Sequence, residues 1–158
     1  MVTPRPYRPE DAPALLALFR DTVRRVNARD YTTEQVRAWA PDQIDQETWA
    51  GRFAGKTILV AEDAESGRPL GFADLEPDGH IDRFFVSADH QRRGVGASLL
   101  AALVAEARTA GLGRLSVEAS VTARPFFEAQ GFVVLAEQSV LVRDVKLVNF
   151  RMERDLNR

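Results

Sequence analysis

The chain has 158 residues, 45% of them hydrophobic and 28% charged, and a formal net charge of −2 at pH 7. That length suits a single domain with one core, which we expect to span residues 1–158. The sequence contains no cysteine, which excludes a disulfide framework, a thiolate nucleophile and a zinc–thiolate site.

The same composition restricts the binding partners. The net negative charge disfavours nucleic acid, because binding to nucleic acid depends on neutralising phosphates. The two histidines have no metal-ligand spacing, so no metal is expected. No apolar run is long enough to span a membrane, and the first residues lack the apolar segment of a signal peptide. We therefore expect a cytoplasmic protein, a monomer or a homodimer, with no membrane partner.

The first third of the chain is predicted to be mainly helical. Residues 2–8 favour a short strand, which three prolines restrict to a sheet edge. The predicted helix caps are Asp11 for the first helix and Thr32 or Thr33 for the second. Apolar residues at helical spacing predict helices over residues 12–28, 31–40 and 45–54.

The remainder alternates between strands and helices. Strands are predicted over residues 57–62, 70–75, 80–86, 114–119, 132–142 and 145–154. Short turns join the first three, which predicts an antiparallel meander. A helix from Val95 to Gly111 connects the third strand to the fourth, so these two are expected to be parallel. Thr122 is the predicted cap of a short helix that precedes the final hairpin.

The loop before the helix at Val95 reads Gln91-Arg92-Arg93-Gly94-Val95-Gly96. Its glycines let backbone N–H groups approach an anion, and the positive end of the helix dipole points to the same place. The loop therefore predicts a phosphate site. Generic nucleotide binding is disfavoured, because no Lys-Ser/Thr follows the loop and Leu99 stands where a Rossmann motif has its third glycine.

This order of elements, together with two motifs, resembles the GNAT superfamily of acyl-CoA-dependent N-acyltransferases. The loop matches the family pattern Gln/Arg-x-x-Gly-x-Gly/Ala, and residues 123–132 are similar to its Ala-x-x-x-aromatic-x-x-x-Gly-Phe segment. Residues 31–40 look like those of a bacterial subset with no settled acceptor. The resemblance implies an α+β fold with a central mixed, mostly antiparallel sheet, flanked by helices and splayed between its fourth and fifth strands.

The resemblance also implies an enzyme that transfers an acetyl group from acetyl-CoA to a primary amine of a small molecule or protein, by direct attack in a ternary complex. The loop backbone would hold the pyrophosphate of coenzyme A, and one strand edge would pair with its pantetheine arm. The 3′-phosphate would contact Arg92, Arg93 or Arg124. The residues implied for coenzyme A binding are Phe85, Val86, Ser87, Gln91, Arg92, Arg93, Gly94, Val95, Gly96, Ala97, Ser120 and Phe127.

The chemistry requires a neutral amine, a stabilised oxyanion and a leaving thiolate. His80 is the first candidate base, with Asp82 on the same strand face to orient the imidazole or to act in its place. The resemblance implies that the backbone N–H near Val86 stabilises the oxyanion. The family often has a tyrosine acid where this chain has Phe127, so Ser120, Tyr31 or no acid at all remain as alternatives.

The acceptor is expected between the N-terminal helices and the final hairpin. The candidate wall residues are Tyr31, Trp39, Trp49 and Asn149, with Phe150 beside them. Each tryptophan is alternatively a core residue. The missing tyrosine leaves a second functional hypothesis, a module that binds acyl-CoA without catalysis and acts as a regulatory or interaction partner.

Overall fold

Seven strands form one mixed sheet in the computed structural model, which describes residues 2–157. The strands are β1 (Pro4–Pro6), β2 (Thr57–Glu62), β3 (Pro69–Leu75), β4 (His80–Val86), β5 (Arg114–Ser120), β6 (Val133–Val142) and β7 (Val145–Asp155). Their order across the sheet is β1-β2-β3-β4-β5-β7-β6, and the pair β4–β5 is parallel while the other neighbours are antiparallel. The predicted fold class is confirmed, and β1 lies at a sheet edge as its prolines require.

Five α-helices cover the two faces of the sheet. They are α1 (Ala12–Arg25), α2 (Thr33–Trp39), α3 (Gln46–Gly51), α4 (Val95–Thr109) and α5 (Arg124–Ala129). Alternate residues of β2 point to opposite faces, so Val60 packs with α1 to α3 while Leu59 packs with α4. The sheet thus separates two cores. The charged groups between α3 and β4 lie on the side of α1 to α3.

The predicted cap Asp11 is confirmed in position but makes no capping hydrogen bond, and the predicted cap Thr122 is wrong. Asp11 precedes α1, but its carboxylate accepts hydrogen bonds from the backbone N–H of Arg8 and the guanidinium of Arg5 instead of capping the helix. Thr122 donates its hydroxyl to Asp30, and the residue before α5 is Ala123. In each case the side chain is bound to a residue outside the helix concerned. The predicted cap Thr32 is confirmed, since it accepts a hydrogen bond from the backbone N–H of Gln35.

β4 and β5 diverge after two residue pairs, which confirms the predicted splay. His80 pairs with Ser116 and Ile81 with Val117, and no further pairs follow in the described chain. The cause is a bulge in β4, where Asp82 and Arg83 together face the single residue Asp74 of β3. The bulge bends β4 away from β5 and leaves one of its edges open.

The helices over residues 2–157 are all too short or too polar to cross a membrane.

Candidate active site

A cavity of about 970 Å³ lies where β4 and β5 diverge. The loop before α4 borders one end, and α1 to α3 with the β6–β7 hairpin border the other. The site therefore has two halves that meet at β4. One half fits a phosphate-bearing ligand, and the other holds most of the charged and aromatic side chains.

The loop end of the cavity is formed by the start of α4. Gly94 adopts φ +83°, a left-handed conformation that glycine accepts without strain. No side chain among residues 2–157 caps this helix, so the first N–H groups of α4 are left for a ligand. A Cβ on Gly96 would lie 3.1 Å from the ring of Phe126, so glycine also permits the close approach of α5. The residues present fit a pyrophosphate, as the loop motif predicted.

The loop residues face different directions. Those that border the cavity are Gln91, Arg92, Gly94, Gly96 and Ala97. The side chain of Val95 is buried in the core behind α4, so only its backbone is available to a ligand, and Arg93 is exposed. The side chain of Ser87 borders a separate depression, together with Asp89 and His90.

Fewer backbone groups of β4 face the gap than the sequence predicted. The N–H of Ser87 donates to the carbonyl of Leu70 on β3, so Ser87 does not offer it to the gap. Hydrogen-bonding direction alternates along a strand, so Phe85 also faces β3, while Val86 faces the gap. The Val86 carbonyl already accepts hydrogen bonds from Thr22 Oγ1 at 3.2 Å and from Gln91 Nε2 at 2.7 Å. The backbone of Val86 is therefore the part of this edge that remains for pantetheine.

His80 begins β4 and borders the cavity, but its partner is not the predicted one. Its Nδ1 forms a hydrogen bond with Ser116 Oγ at 2.9 Å, across the short parallel pairing with β5. The expected orientation of the ring by Asp82 is wrong, because Asp82 Oδ2 accepts from Lys56 Nζ at 2.9 Å and from Arg52 at 3.2 Å. Ser116 was missed because it becomes a neighbour of His80 only through the pairing of two distant strands.

The charges around Asp82 weaken it as a base. Burial raises the pKa of this carboxyl, but the ammonium of Lys56 and the guanidinium groups of Arg52 and Arg83 outweigh burial, and the pKa is lowered overall. A carboxylate with a lowered pKa binds protons poorly near neutral pH. Glu76, His80 and Asp82 have atoms within 4.8 Å of one another that could ligate a metal. The contact between Asp82 and Lys56 disfavours a cation there.

Beneath this cluster lies a buried ion pair that the sequence analysis missed. Asp74 is fully buried and accepts hydrogen bonds from Arg83 Nε at 2.8 Å and from two backbone N–H groups of the β4 bulge. The Arg83 guanidinium lies over the rings of Phe53 and Trp49, at 4.1 and 4.7 Å from their centroids. The sequence did contain a signal, since Asp74 lies among apolar residues in β3, and Asp82 and Arg83 interrupt the apolar residues of β4.

Phe127, in the place of the family's tyrosine, and Ser120, a candidate acid, have different surroundings. Phe127 is 1% exposed and packs edge-on against the rings of Phe84, Phe126 and Phe132. Ser120 Oγ borders the cavity, accepting from the backbone N–H of Ala123 and from Asn27 Nδ2.

The Tyr31 hydroxyl is held by two backbone groups. It donates to the Val148 carbonyl at 2.7 Å and accepts from the Val121 N–H at 2.9 Å. Burial raises the pKa of this tyrosine, although the hydrogen bond from Val121 opposes the shift. Tyr31 therefore links the segment before α2 to β7 and to Val121, the residue that follows β5, and its hydroxyl proton is already engaged.

The acceptor half contains three of the four predicted wall residues as half-buried side chains. Trp39 lies between Tyr31 and Phe85, and Asn149 faces the same space with an Oδ1 that has no hydrogen-bond partner among residues 2–157. Trp49 differs, because it is 2% exposed and its Nε1 donates to the Ala12 carbonyl, so it serves mainly as core.

The prediction for Phe150 is wrong. Successive residues of β7 alternate in direction, and Phe150 packs into the core on the α4 side while Asn149 faces the cavity. Arg124, one of the candidates for the 3′-phosphate, lies over the Phe150 ring at 4.5 Å from its centroid.

Known acetyltransferases are similar to this chain over most of its length. Residues 27–154 match the family model described as an acetyltransferase (GNAT) domain. An Escherichia coli K12 protein named uncharacterized N-acetyltransferase YafP is 35% identical over 148 residues, which is 94% of this chain and 92% of that protein. A GCN5-related N-acetyltransferase structure from Rhodopseudomonas palustris has 38% identity and a TM-score of 0.91, covering 98% of this chain and 97% of its own.

A more distant structure shares the fold. PaiA N-acetyltransferase from Thermoplasma acidophilum, solved in complex with coenzyme A, has 17% identity and a TM-score of 0.77 over 98% of this chain and 99% of its own.

Proposed function

The chain belongs to the GNAT acetyltransferase family, and from that premise we propose that it transfers the acetyl group of acetyl-CoA to a primary amine in a ternary complex. The observation that carries the proposal is the meeting, in one cavity, of the uncapped start of α4, the open edge of β4 and the His80–Ser116 pair. The acceptor is an amine of a small molecule or of a protein.

Coenzyme A is the substrate that fits the loop half. The N–H groups at the start of α4 would bind its pyrophosphate, and Arg92 stands beside them at the cavity wall. The pantetheine arm would lie along β4 and use the backbone of Val86. The hydrogen bond from Gln91 to the Val86 carbonyl would have to open for the carbonyl to take part.

The reaction itself balances without a further reactant. The amine nitrogen attacks the thioester carbon, a C–N bond forms, the C–S bond breaks, and one amine proton is released. Direct attack is favoured because the chain has no cysteine to carry an acyl group and both halves open into one cavity. Holding both reactants together supplies much of the acceleration.

His80 is the proposed base. The hydrogen bond to Ser116 involves Nδ1, which leaves Nε2 as the nitrogen that takes the amine proton. Asp82 is the weaker candidate because its pKa is lowered by its cationic neighbours. Asp82 instead holds Arg52 and Lys56 beside the base.

The thiolate leaves without a tyrosine acid. Phe127 has no proton to give, and the Tyr31 hydroxyl already donates to a carbonyl. A thiol has a pKa of about 8.5, so its anion is an acceptable leaving group near neutral pH. Ser120 borders the cavity and is the remaining hydroxyl candidate among the predicted residues, and the backbone N–H of Val86 is the proposed oxyanion donor.

The proposal is tested by mixing the protein with acetyl-CoA and a panel of amines. Release of free thiol follows turnover, and mass spectrometry identifies the acetylated product. His80→Gln is expected to slow turnover by about a hundredfold while coenzyme A binding persists, because a general base contributes that much or more. If acetyl-CoA neither raises the melting temperature nor is consumed with any amine, the proposal fails. Tight binding of acetyl-CoA without turnover of any amine would instead support the non-catalytic module.

A further inference from the structure

Arg83 has two terminal nitrogens with no hydrogen-bond partner. Its side chain is 3% exposed, and its Nε donates to Asp74 at 2.8 Å. Nη1 and Nη2 are buried and contact no acceptor among residues 2–157. An arginine offers these N–H groups in a fixed fork, and buried donors of this kind are ordinarily paired.

The aromatic rings around Arg83 do not satisfy these donors. Phe53 and Trp49 lie close to the guanidinium carbon, which is 4.1 and 4.7 Å from their ring centroids, and they attract its positive charge. The two rings stand at 87° to each other, and neither supplies an oxygen acceptor. The guanidinium is therefore held firmly in place while its in-plane donors remain without an acceptor.

Arg83 stands at the wall of the acceptor half of the cavity, and its two terminal nitrogens are shielded there. Arg83 borders the cavity, and so does Arg52, a half-exposed residue whose Nη2 contacts Asp82. The positive charge of Arg52 acts on Arg83, so two like charges lie close together on this wall. The charged residues that border the cavity are Arg29, Arg52, Arg83, Arg92 and Arg143 against Asp82 and Glu118.

We propose that Arg83, assisted by Arg52, recognises a carboxylate on the acceptor, so that the acceptor is an amine that also carries a carboxylate group. The inference rests on the proposed acetyl transfer and specifies its substrate class. A carboxylate has two oxygens in one plane, which matches the arginine fork and supplies the acceptors that Nη1 and Nη2 lack. Both nitrogens are shielded in this conformation, so a side chain that covers them has to change rotamer before a carboxylate binds. Such rotamer changes are common in complexes.

The position of this wall also suits the chemistry. His80, Asp82 and Arg83 all lie on β4, so a carboxylate held by Arg83 would place a nearby amine beside the proposed base. Asp74 is bound to Arg83 through Nε and Asp82 is paired with Lys56, so neither carboxylate occupies Nη1 or Nη2 of Arg83. The half-buried rings of Trp39 and Phe85 line the same half and can accommodate an apolar body.

The test uses matched amines that differ in the carboxylate. A panel of α-, β- and γ-amino acids, phenylalanine among them, is compared with the corresponding amides, at equal concentrations of neutral amine and with saturating acetyl-CoA. For the best acceptor pair we expect kcat/KM to be at least about tenfold higher for the carboxylate, because a charge-assisted hydrogen bond is lost in the amide. Binding of the same pairs to the coenzyme A complex is measured by calorimetry, which does not depend on turnover.

Variants identify the residues responsible. Arg83→Gln is expected to remove the preference, but it also leaves Asp74 without its partner and can unfold the protein. Arg52→Gln lies at the surface and is the second variant, expected to reduce the carboxylate preference, the ratio of kcat/KM for the carboxylate to kcat/KM for its amide, about fivefold or more. Arg37→Gln, on the exposed side of α2 and outside the cavity wall, is the matched control and should change neither value.

The outcomes separate the two proposals. If amines are acetylated but the best acceptor shows no preference for its carboxylate form, the inference about Arg83 is overturned and acetyl transfer stands. If no amine in the panel turns over, calorimetry decides the question. Binding of carboxylates but not of their amides supports the inference, and equal or absent binding of both overturns it.

Discussion

Replacing Asp74 by asparagine is expected to destabilise the protein more than any surface charge change. Asp74 is fully buried and accepts three hydrogen bonds, from Arg83 Nε and from the backbone N–H groups of Asp82 and Arg83. Asparagine is nearly the same size, but it has one carbonyl oxygen, and its amide would face the donor of Arg83. The substitution therefore changes charge and hydrogen bonding without leaving a cavity.

The magnitude follows from the burial of the partner. Removing one member of a buried ion pair costs about 3–5 kcal/mol, because the remaining charge is left uncompensated. Lys56 Nζ lies 4.0 Å from Asp74 and would add to the unbalanced positive charge. Total stabilities of small proteins are about 5–15 kcal/mol, so we expect Asp74→Asn to lose about 3 kcal/mol or more of the free energy of unfolding.

Urea denaturation followed by circular dichroism measures this loss. Asp42→Asn is the matched control, because Asp42 pairs with Arg24 at 2.6 Å but its side chain is 89% exposed. An exposed pair contributes about 0–1 kcal/mol. If Asp74→Asn loses less than about 1 kcal/mol, or no more than the control, then the buried pair does not stabilise the bulge as argued.

Three further predictions concern the base, the loop and the response to acid. His80→Gln should lower kcat about a hundredfold with a coenzyme A affinity within twofold of wild type, measured by thiol release and calorimetry, and an unchanged kcat would exclude His80 as the base. Gly96→Val places atoms against Phe126, 3.1 Å from the Cβ position, and should cost about 1–3 kcal/mol in urea denaturation and weaken coenzyme A binding. The hydrogen bond from Arg5 lowers the pKa of Asp11, and the stabilisation it provides is present above the ordinary carboxyl pKa and lost as pH falls through the folded value. Asp11→Asn should therefore flatten the fall in unfolding free energy between about pH 4 and pH 2, and an unchanged slope would contradict the assignment.

The helices and strands were accessible from sequence because their signals are local. The bounds of β2 and β4 agree with the predicted ranges, since β-branched and alternating residues depend on near neighbours. The loop at Gly94 was likewise recognised from adjacent residues. Asp11 stands at the predicted N-cap position of α1, but its carboxylate is bound to Arg5 instead of the helix. Thr122 is bound to Asp30, and Ala123 takes the position before α5.

Some residues of the candidate site were predicted and others were not, again because sequence patterns report only on near neighbours. His80 was singled out correctly as a residue bordering the cavity, but its partner Ser116 lies 36 residues away in the chain and meets it through strand pairing. Phe150 was predicted to border the acceptor site together with Asn149, yet alternation along β7 directs it to the other face.

By itself, the sequence determined the order of elements and the glycine loop before α4, and these sufficed to indicate an α+β acetyltransferase fold with a phosphate site. Those features rest on local spacing and backbone conformation, which neighbouring residues define. Only the tertiary structure decided what surrounds the reacting centre. The bulge opposite Asp74 opens β4, and it brings Asp82 to Lys56 and Arg52 while Arg83 stays beneath the cavity with unpaired donors. These contacts join residues far apart in the chain, and their energies depend on burial, which no local pattern records.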